Sequence, residues 1–174
     1  MKALIKMGML VLIAGTTIKA QAQVGAMDMK ADSSKHMILS GANLTWMDAP
    51  PGLPKGAKMA ILSGDPSKEG AFTIRIMFPA NYEIKPHWHP TSENITVLKG
   101  VFYLGTQETF DKTKASRLEE GSFASIPAKH VHYAFSKAPV TIQLHGMGPF
   151  AITYIKATDD PRTVNATDNS KTKM

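Results

Sequence analysis

Short extended segments recur along this chain and leave little room for any architecture other than an antiparallel β-fold. The clearest of them runs from residue 71 to 78, and its even-numbered residues share one apolar face: Phe72, Ile74, Ile76 and Phe78. Roughly ten such segments, separated by Gly, Pro, Asn and Asp, follow one another with little helical periodicity. This pattern predicts an all-β antiparallel barrel or sandwich, and a chain of 174 residues supports one domain with a sizeable core.

The beginning of the chain has the form of a secretory signal peptide. Lys2 and Lys6 precede an apolar run over 7–15, and residues 20–22 (Ala-Gln-Ala) have the small-x-small form of a cleavage site. The apolar run is too short to span a bilayer as a stable helix. We therefore expect a signal peptide over 1–22, a secreted or periplasmic protein, and no membrane attachment after cleavage.

The remaining composition sets the other domain boundaries and excludes several classes of function. Residues 23–35 are expected to be a flexible lead-in, 36–157 the β-domain, and 158–174 a polar tail. The absence of cysteine excludes disulfides and thiolate sites. Three lysines of the signal peptide contribute to the formal charge of +6, and the other basic residues are scattered, so no nucleic-acid partner is predicted.

A stretch between Pro86 and Gly100 carries the strongest chemical signal. His87 and His89 are two residues apart, so on an extended strand both imidazoles point to the same side. Glu93 can add a carboxylate oxygen once the chain bends after the strand. Two nitrogens and one oxygen form a donor set that suits a divalent transition metal.

A second histidine pair lies further along the chain. His130 and His132 are again two apart on an extended segment. If the two histidine-bearing strands lie on facing sheets, one of these imidazoles could complete a metal site of three nitrogens and one oxygen, with positions left for water, substrate or dioxygen. A lone histidine is usually a surface or satisfied core residue, but two such pairs with a suitably spaced glutamate favour a metal.

The spacing of these residues resembles the two motifs of the cupin family. The first is His87-x-His89-x3-Glu93-x6-Gly100, and the second is Gly121-x5-Pro127 followed by His132. The chain is most similar to small secreted bacterial cupins. Three positions depart from the family pattern, with Asn81 and Lys129 in place of glycines and Ser136 in place of an asparagine. These are backbone and turn positions rather than ligand positions.

The resemblance implies a fold, a ligand set and a range of metals. The expected fold is the antiparallel jelly-roll β-barrel of RmlC-like cupins, over residues 36–157. His132 becomes the fourth ligand beside His87, His89 and Glu93, and His130 a surface or outer residue, with the opposite assignment kept as an alternative. The metal is expected to be iron, manganese, nickel, zinc or copper, and a homodimer formed through an edge strand is expected by analogy.

Several other polar residues are candidates for the pocket. Gln143 and His145 share one face of their strand, and if that face looks inward they would line the pocket and move protons or hold substrate; if outward, they are solvated. Arg75 faces either a cavity or water. Glu93 could also leave the metal and act as a base. The Pro/Gly-rich run over 49–56 is either a plain connection or the rim of a pocket.

Two local expectations concern the connections. The segment Leu98–Val101, with Gly100 at its centre, predicts a tight turn between two paired antiparallel strands. The polar segment Glu108–Thr113 predicts one helical turn.

The expected function is that of a metal-dependent oxygenase or dioxygenase acting on a small organic molecule, with Glu93 and His145 as candidate catalytic residues. The alternative is a non-catalytic periplasmic protein that binds or senses a metal or a small ligand. Three histidines with a carboxylate form an open donor set, which favours the enzyme over a closed structural site. Fold and ligand set do not fix the reaction.

Overall fold

The computed structural model describes residues 36–163. The predicted signal peptide (1–22), the lead-in (23–35) and the last part of the predicted tail (164–174) lie outside the described residues. Among residues 36–163, no helix is long and apolar enough to cross a membrane.

Eleven strands in the described part of the chain form two antiparallel sheets. The six-stranded sheet has the order β1-β2-β3-β10-β5-β8, and the five-stranded sheet has the order β11-β4-β9-β6-β7. The strands are β1 (Met47–Asp48), β2 (Lys58–Ser63), β3 (Gly70–Phe78), β4 (Glu83–Trp88), β5 (Glu93–Lys99), β6 (Phe102–Gly105), β7 (Ser116–Leu118), β8 (Phe123–Ile126), β9 (His132–Phe135), β10 (Val140–Gly148) and β11 (Thr153–Tyr154). Two 3₁₀ turns lie at Gly41–Asn43 and Ala157–Asp159.

This architecture confirms the all-β antiparallel jelly-roll prediction. The sheets are not closed into a barrel, because the hydrogen-bonded order ends at β1 and β8 in one sheet and at β11 and β7 in the other. Residues 36–40, at the start of the predicted β-domain, form no strand; they are irregular and exposed.

Alternation along β3 explains how the sequence builds the inner face. Its four even-numbered residues from 72 to 78 are each at most 5% exposed, while residues 73, 75 and 77 are half-buried. The same parity holds on β10, where Val140, Ile142 and Leu144 are buried. Apolar side chains of both sheets therefore meet between them, as the period of two predicted.

The turn at Gly100 connects the two sheets and does not close a hairpin. β5 pairs with β8 and β10, whereas β6 pairs with β7 and β9, so the predicted pairing across Leu98–Val101 is wrong. Gly100 has a φ of +84°, and a Cβ at this position would lie 2.7 Å from the carbonyl oxygen of Pro139. A tight turn with a glycine fits either connection, and only the pairing partners decide between them.

The segment expected to form a helical turn, Glu108–Thr113, instead forms irregular turns that cover the outer face of β9. Phe110 packs on Tyr133 with ring centroids 5.0 Å apart, and the Tyr133 hydroxyl donates to the carbonyl of Asp111 at 2.6 Å. These contacts bury Tyr133 completely. The loop is therefore fixed by tertiary packing, which overrides its local helical tendency.

Two glycines with nearly the same backbone conformation offer a matched test of the Gly100 turn. Gly121 has a φ of +83° but no atom within 4 Å of a Cβ built on it. Gly121→Ala should cost about 1 kcal/mol of unfolding free energy from the left-handed conformation alone. Gly100→Ala should cost roughly 1–3 kcal/mol more, because the methyl group would also crowd the Pro139 carbonyl. Urea denaturation of both variants measures the difference, and equal losses would contradict this account.

Candidate metal centre

Three strands bring the histidines and the glutamate to one place. His87 lies on β4 and His132 at the start of β9, and the two are direct Cα partners in the five-stranded sheet. The two histidine-bearing strands are therefore neighbours in one sheet, and the facing-sheet arrangement considered from the sequence is not needed to bring them together. His89 follows β4, and Glu93 begins β5 in the other sheet. The carboxylate thus reaches the histidines across the sandwich.

The histidine triad has the geometry of a metal site. One ligand nitrogen from each of His87, His89 and His132 can be chosen so that all three lie within 4.8 Å of one another, which could hold a metal ion. Glu93 Oε2 lies 3.1 Å from His132 Nε2 and 3.6 Å from His89 Nε2. All four side chains are buried, with exposed fractions of 2–6%. Of the two histidines considered for the fourth ligand position, His132 lies in this cluster, whereas His130 is exposed.

Backbone carbonyls fix the orientation of each imidazole. His87 Nδ1 lies 2.7 Å from the Lys85 carbonyl, His89 Nδ1 2.7 Å from the Ala151 carbonyl, and His132 Nδ1 3.1 Å from the carbonyl of His130. A carbonyl can only accept, so each Nδ1 donates. In a neutral imidazole this leaves the Nε2 lone pair free, as in histidines that bind metals in proteins.

Two buried atoms in the cluster lack a hydrogen-bond partner. They are His89 Nε2 and Glu93 Oε2, which face each other in the middle of the site. Leaving such an atom unsatisfied costs roughly 1–3 kcal/mol, and converging lone pairs also repel one another. A cation between them would remove both penalties. Three imidazole nitrogens and one carboxylate oxygen therefore fit a divalent transition metal.

The electrostatics of the site favour the deprotonated ligands that a metal requires. Burial, together with the neighbouring His132 and His89, holds the pKa of His87 well below its usual value. Burial also lowers the pKa of His89, and this outweighs the opposing effect of Glu93. For Glu93, burial favours the neutral acid, but the neighbouring imidazoles of His132 and His89, 3.1 and 3.6 Å from Oε2, outweigh it and lower the pKa.

The turns around the site keep the backbone geometry at the positions where the cupin pattern has glycine. Asn81 and Lys129 have φ values of 58° and 63°, in the left-handed region. The Lys129 N–H donates to the His89 carbonyl at 2.8 Å, which ties the two histidine segments together. Ser136, at the asparagine position, donates its hydroxyl to the Pro79 carbonyl at 2.7 Å. These replacements therefore leave the loops in place.

A cavity of about 370 Å³ opens beside the four side chains. Its walls are the apolar inner faces of both sheets, and its rim includes Pro50–Leu53, Phe150–Ile152 and Arg162. The Pro/Gly-rich run is thus a pocket rim rather than a plain connection. It is anchored by two tyrosines, since Tyr154 donates its hydroxyl to the Gly52 carbonyl at 2.8 Å and Tyr82 donates to the carbonyl of Pro54.

The structure corrects the expectations for the other pocket candidates. Arg75 and Gln143 pair with each other at 3.2 Å on the outer face of the six-stranded sheet, and His145 is exposed on the same face. Strand parity is the reason, because Gln143 and His145 alternate with the inward Ile142 and Leu144. His130 lines a separate surface groove. None of these four candidates lines the cavity beside the metal ligands.

Two residues at the site were missed from the sequence. Phe150 stacks on the His89 ring with centroids 4.2 Å apart. Arg162 lies in the segment predicted as a polar tail, yet it lines the cavity, and its Nη2 donates to the Ile152 carbonyl at 3.1 Å and to Asp160 at 2.7 Å. A single arginine in a polar segment has no periodicity, so no signal in the sequence indicated its position.

Comparison with known proteins agrees with this fold. A family model described as a domain of unknown function (DUF4437) matches residues 20–153. No curated protein matches the chain significantly. Several solved structures are similar to this chain. Those described next are only 16–17% identical to it, so their similarity shows the fold alone.

Three of these structures illustrate the similarity. The polyketide cyclase RemF from Streptomyces resistomycificus is 16% identical, with a TM-score of 0.61 over 73% of this chain and 90% of that one. An acetylacetone dioxygenase from Acinetobacter johnsonii is 16% identical, with a TM-score of 0.54 over 72% and 80%. An RmlC-like cupin from Shewanella frigidimarina NCIMB 400 is 17% identical, with a TM-score of 0.51 over 65% and 91%.

Proposed function

Because the chain belongs to the DUF4437 family and has an RmlC-like cupin fold, we propose that it is a metal-dependent oxygenase or dioxygenase acting on a small organic molecule. The observation that carries the proposal is the position of the donor set. Three histidines, with Glu93 Oε2 at 3.1 and 3.6 Å from two of them, converge at the wall of an apolar cavity. A purely structural metal would not need such a cavity beside it.

The chain's own residues define what the site does. When bound by His87, His89, His132 and Glu93, a divalent metal would supply Lewis acidity and, if redox-active, chemistry with dioxygen. The carbonyls behind each Nδ1 hold the imidazoles in one tautomer and orientation. The lowered pKa of Glu93 keeps its carboxylate ionised, the form that binds a metal or, when released from it, accepts a proton. Phe150 and the proline-rich rim limit the access of water.

Similar folds support different reactions, so the fold alone does not choose the chemistry. An acetylacetone dioxygenase and a polyketide cyclase both share it. The apolar walls favour a neutral organic substrate, and the three-nitrogen, one-oxygen donor set leaves positions for substrate and dioxygen. These two features support the oxygenase over the non-catalytic binding protein.

Metal analysis and oxygen uptake together test the proposal. Protein purified without its signal peptide should contain about one transition metal per chain. It should consume dioxygen with some member of a panel of phenols, diketones and flavonols, and the His87→Ala/His89→Ala variant should lose both properties. Folded protein that takes up no metal would overturn the enzyme proposal. Protein with a full metal content and no turnover across the panel would favour the binding or sensing function.

Export and self-association are also proposals. The signal sequence over 1–22 supports secretion or a periplasmic location, and an N-terminus at Gln23 in protein recovered from outside the cytoplasm would agree with it. The edge strands of the open sandwich support a homodimer. Light scattering of the purified protein measures its mass directly.

A further inference from the structure

The cavity beside the metal ligands extends far along the strands. Glu93 pairs with Gly146 on β10, and Gly146 pairs with Phe72 on β3, which sets the level of the ligands. Phe78 also lines the cavity and lies six residues further along β3. At about 3.3 Å per residue, the cavity reaches roughly 20 Å beyond the ligand level.

The walls of this chamber are apolar along their length. Between the ligands and the far end, the lining side chains are aliphatic, for example Ile74, Ile76 and Leu144. A charged or hydrogen-bonding group placed there would have no partner, which is unfavourable.

An aromatic group closes the far end. Phe78 stacks on Tyr82 with ring centroids 5.0 Å apart, and on Phe102 at 5.8 Å. Phe78 and Phe102 both line the cavity. The hydroxyl of Tyr82 is occupied by the carbonyl of Pro54, so this end offers contact rather than hydrogen bonding.

The rim near the ligands carries little free charge. Arg162 is the one lysine or arginine among the described residues that line the cavity. Asp160 binds its guanidinium through both carboxylate oxygens, at 2.7–3.1 Å. Apart from the metal itself, the rim therefore offers no uncompensated cation.

From these features we infer that the substrate is an amphiphile, with metal-binding oxygen donors at one end and an uncharged apolar tail that fills the chamber between the histidines and the Phe78 group. This inference rests on the proposed function for its oxygen-bearing head. The inference of an apolar tail rests only on the lining of the chamber and not on the metal. Molecules with a charged tail are excluded by the aliphatic lining.

A homologous series of ligands tests the tail separately from the reaction. n-Alkyl hydroxamic acids, from acetohydroxamic to dodecanohydroxamic acid, carry the same two-oxygen metal-binding head, which releases a proton on chelation, and calorimetry with the metal-containing protein at one pH measures their relative affinity. We expect roughly a fourfold gain per added methylene, as for full burial of each group, until the chain reaches the far end. Beyond that length the affinity should stop rising.

Two variants and a control locate the tail. Ala134 lines the cavity two residues beyond His132 and is 3% exposed, so Ala134→Phe should abolish the gain for all but the shortest chains. Phe78→Ala should lengthen the series over which affinity rises, which a folding defect could not produce. Ala71→Phe places the same added ring at an exposed position of β3 and should leave the series unchanged.

The outcomes separate this inference from the proposed function. If acetohydroxamic acid binds but longer chains gain nothing, or if Ala134→Phe behaves like the parent, the tail inference is overturned and the metal site stands. If the metal-containing protein binds no hydroxamate of any length, the open metal site itself fails, and with it the proposed function.

Discussion

His132→Ala should remove the transition metal from the purified protein, whereas His130→Ala should leave it in place. His132 is 2% exposed, and its Nε2 lies 3.1 Å from Glu93 Oε2 in the middle of the donor set. His130 is only two residues away but is exposed and lines a separate groove. His130→Ala is therefore a matched control for His132→Ala, because the same residue type is replaced by the same residue only two positions away.

The expected size of this effect follows from what the ligand does. Mutating a partner that only orients a ligand typically weakens metal affinity 10–100-fold, so loss of the ligand itself should exceed roughly 100-fold. Elemental analysis after dialysis, and titration with cobalt followed by its visible absorption, measure both variants. Equal metal content in the two would show that His132 is not a ligand.

The side-by-side placement of His87 and His89 could be predicted because it depends only on the local pleat. Residues two apart on an extended chain share a face wherever the strand is placed. The strand that pairs with it could not be predicted in the same way. His87 and His132 are neighbours in one sheet and Glu93 comes from the other, an arrangement that the sequence left open. Pairing between distant strands is set by the whole fold, and the motif spacing does not encode it.

The same distinction explains the other differences. At Gly100 the sequence indicates a turn, but a hairpin and a crossing between sheets need the same local conformation. The expected pocket role of His145 failed although Ile142 and Leu144 marked the opposite face as apolar. From the sequence alone, a pocket lined with polar side chains could have lain on either face of this strand. In the structure the inner walls of the cavity are aliphatic, so the polar face with His145 lies outside.

The residues that meet at the rim of the cavity could not be predicted from the sequence. Residues 50–53 and Arg162 are more than 100 positions apart, and they meet because tyrosine hydroxyls and the Ile152 carbonyl hold them there. By contrast, the backbone at Asn81 and Lys129 follows the cupin pattern without its glycines. Asparagine tolerates the left-handed region, and at Lys129 the hydrogen bond to the His89 carbonyl helps to offset the strain.

The metal-free protein should lose stability steeply as the pH falls from about 7 towards 5. The pKa values of His87 and His89 lie below their usual values in the folded state. On acidification the unfolded chain therefore binds protons that the folded chain does not, so the unfolding free energy falls from the ordinary histidine pKa of about 6.5 downwards. Two such groups give a slope of up to about 2.7 kcal/mol per pH unit.

Glu93 acts in the same direction at lower pH. Its folded pKa is also lowered, so its contribution is present above the ordinary carboxyl value and disappears as the pH falls through the folded pKa. Without the metal, the site therefore lowers the unfolding free energy throughout acidification, first through the two histidines and then through Glu93. Bound metal should raise the stability at neutral pH and make the acid loss steeper, because protons then compete with the metal for the same atoms.

Urea denaturation of chelator-treated protein at pH 8, 7, 6 and 5 measures this dependence. His87→Gln should flatten the slope by about half, because one of the two buried imidazoles no longer titrates. His145→Gln changes a histidine on the exposed outer face and should keep the parent slope. A parent protein whose stability stays constant between pH 7 and 5 would show that His87 and His89 are not held in the neutral form, and their lone pairs would then not be free for metal binding.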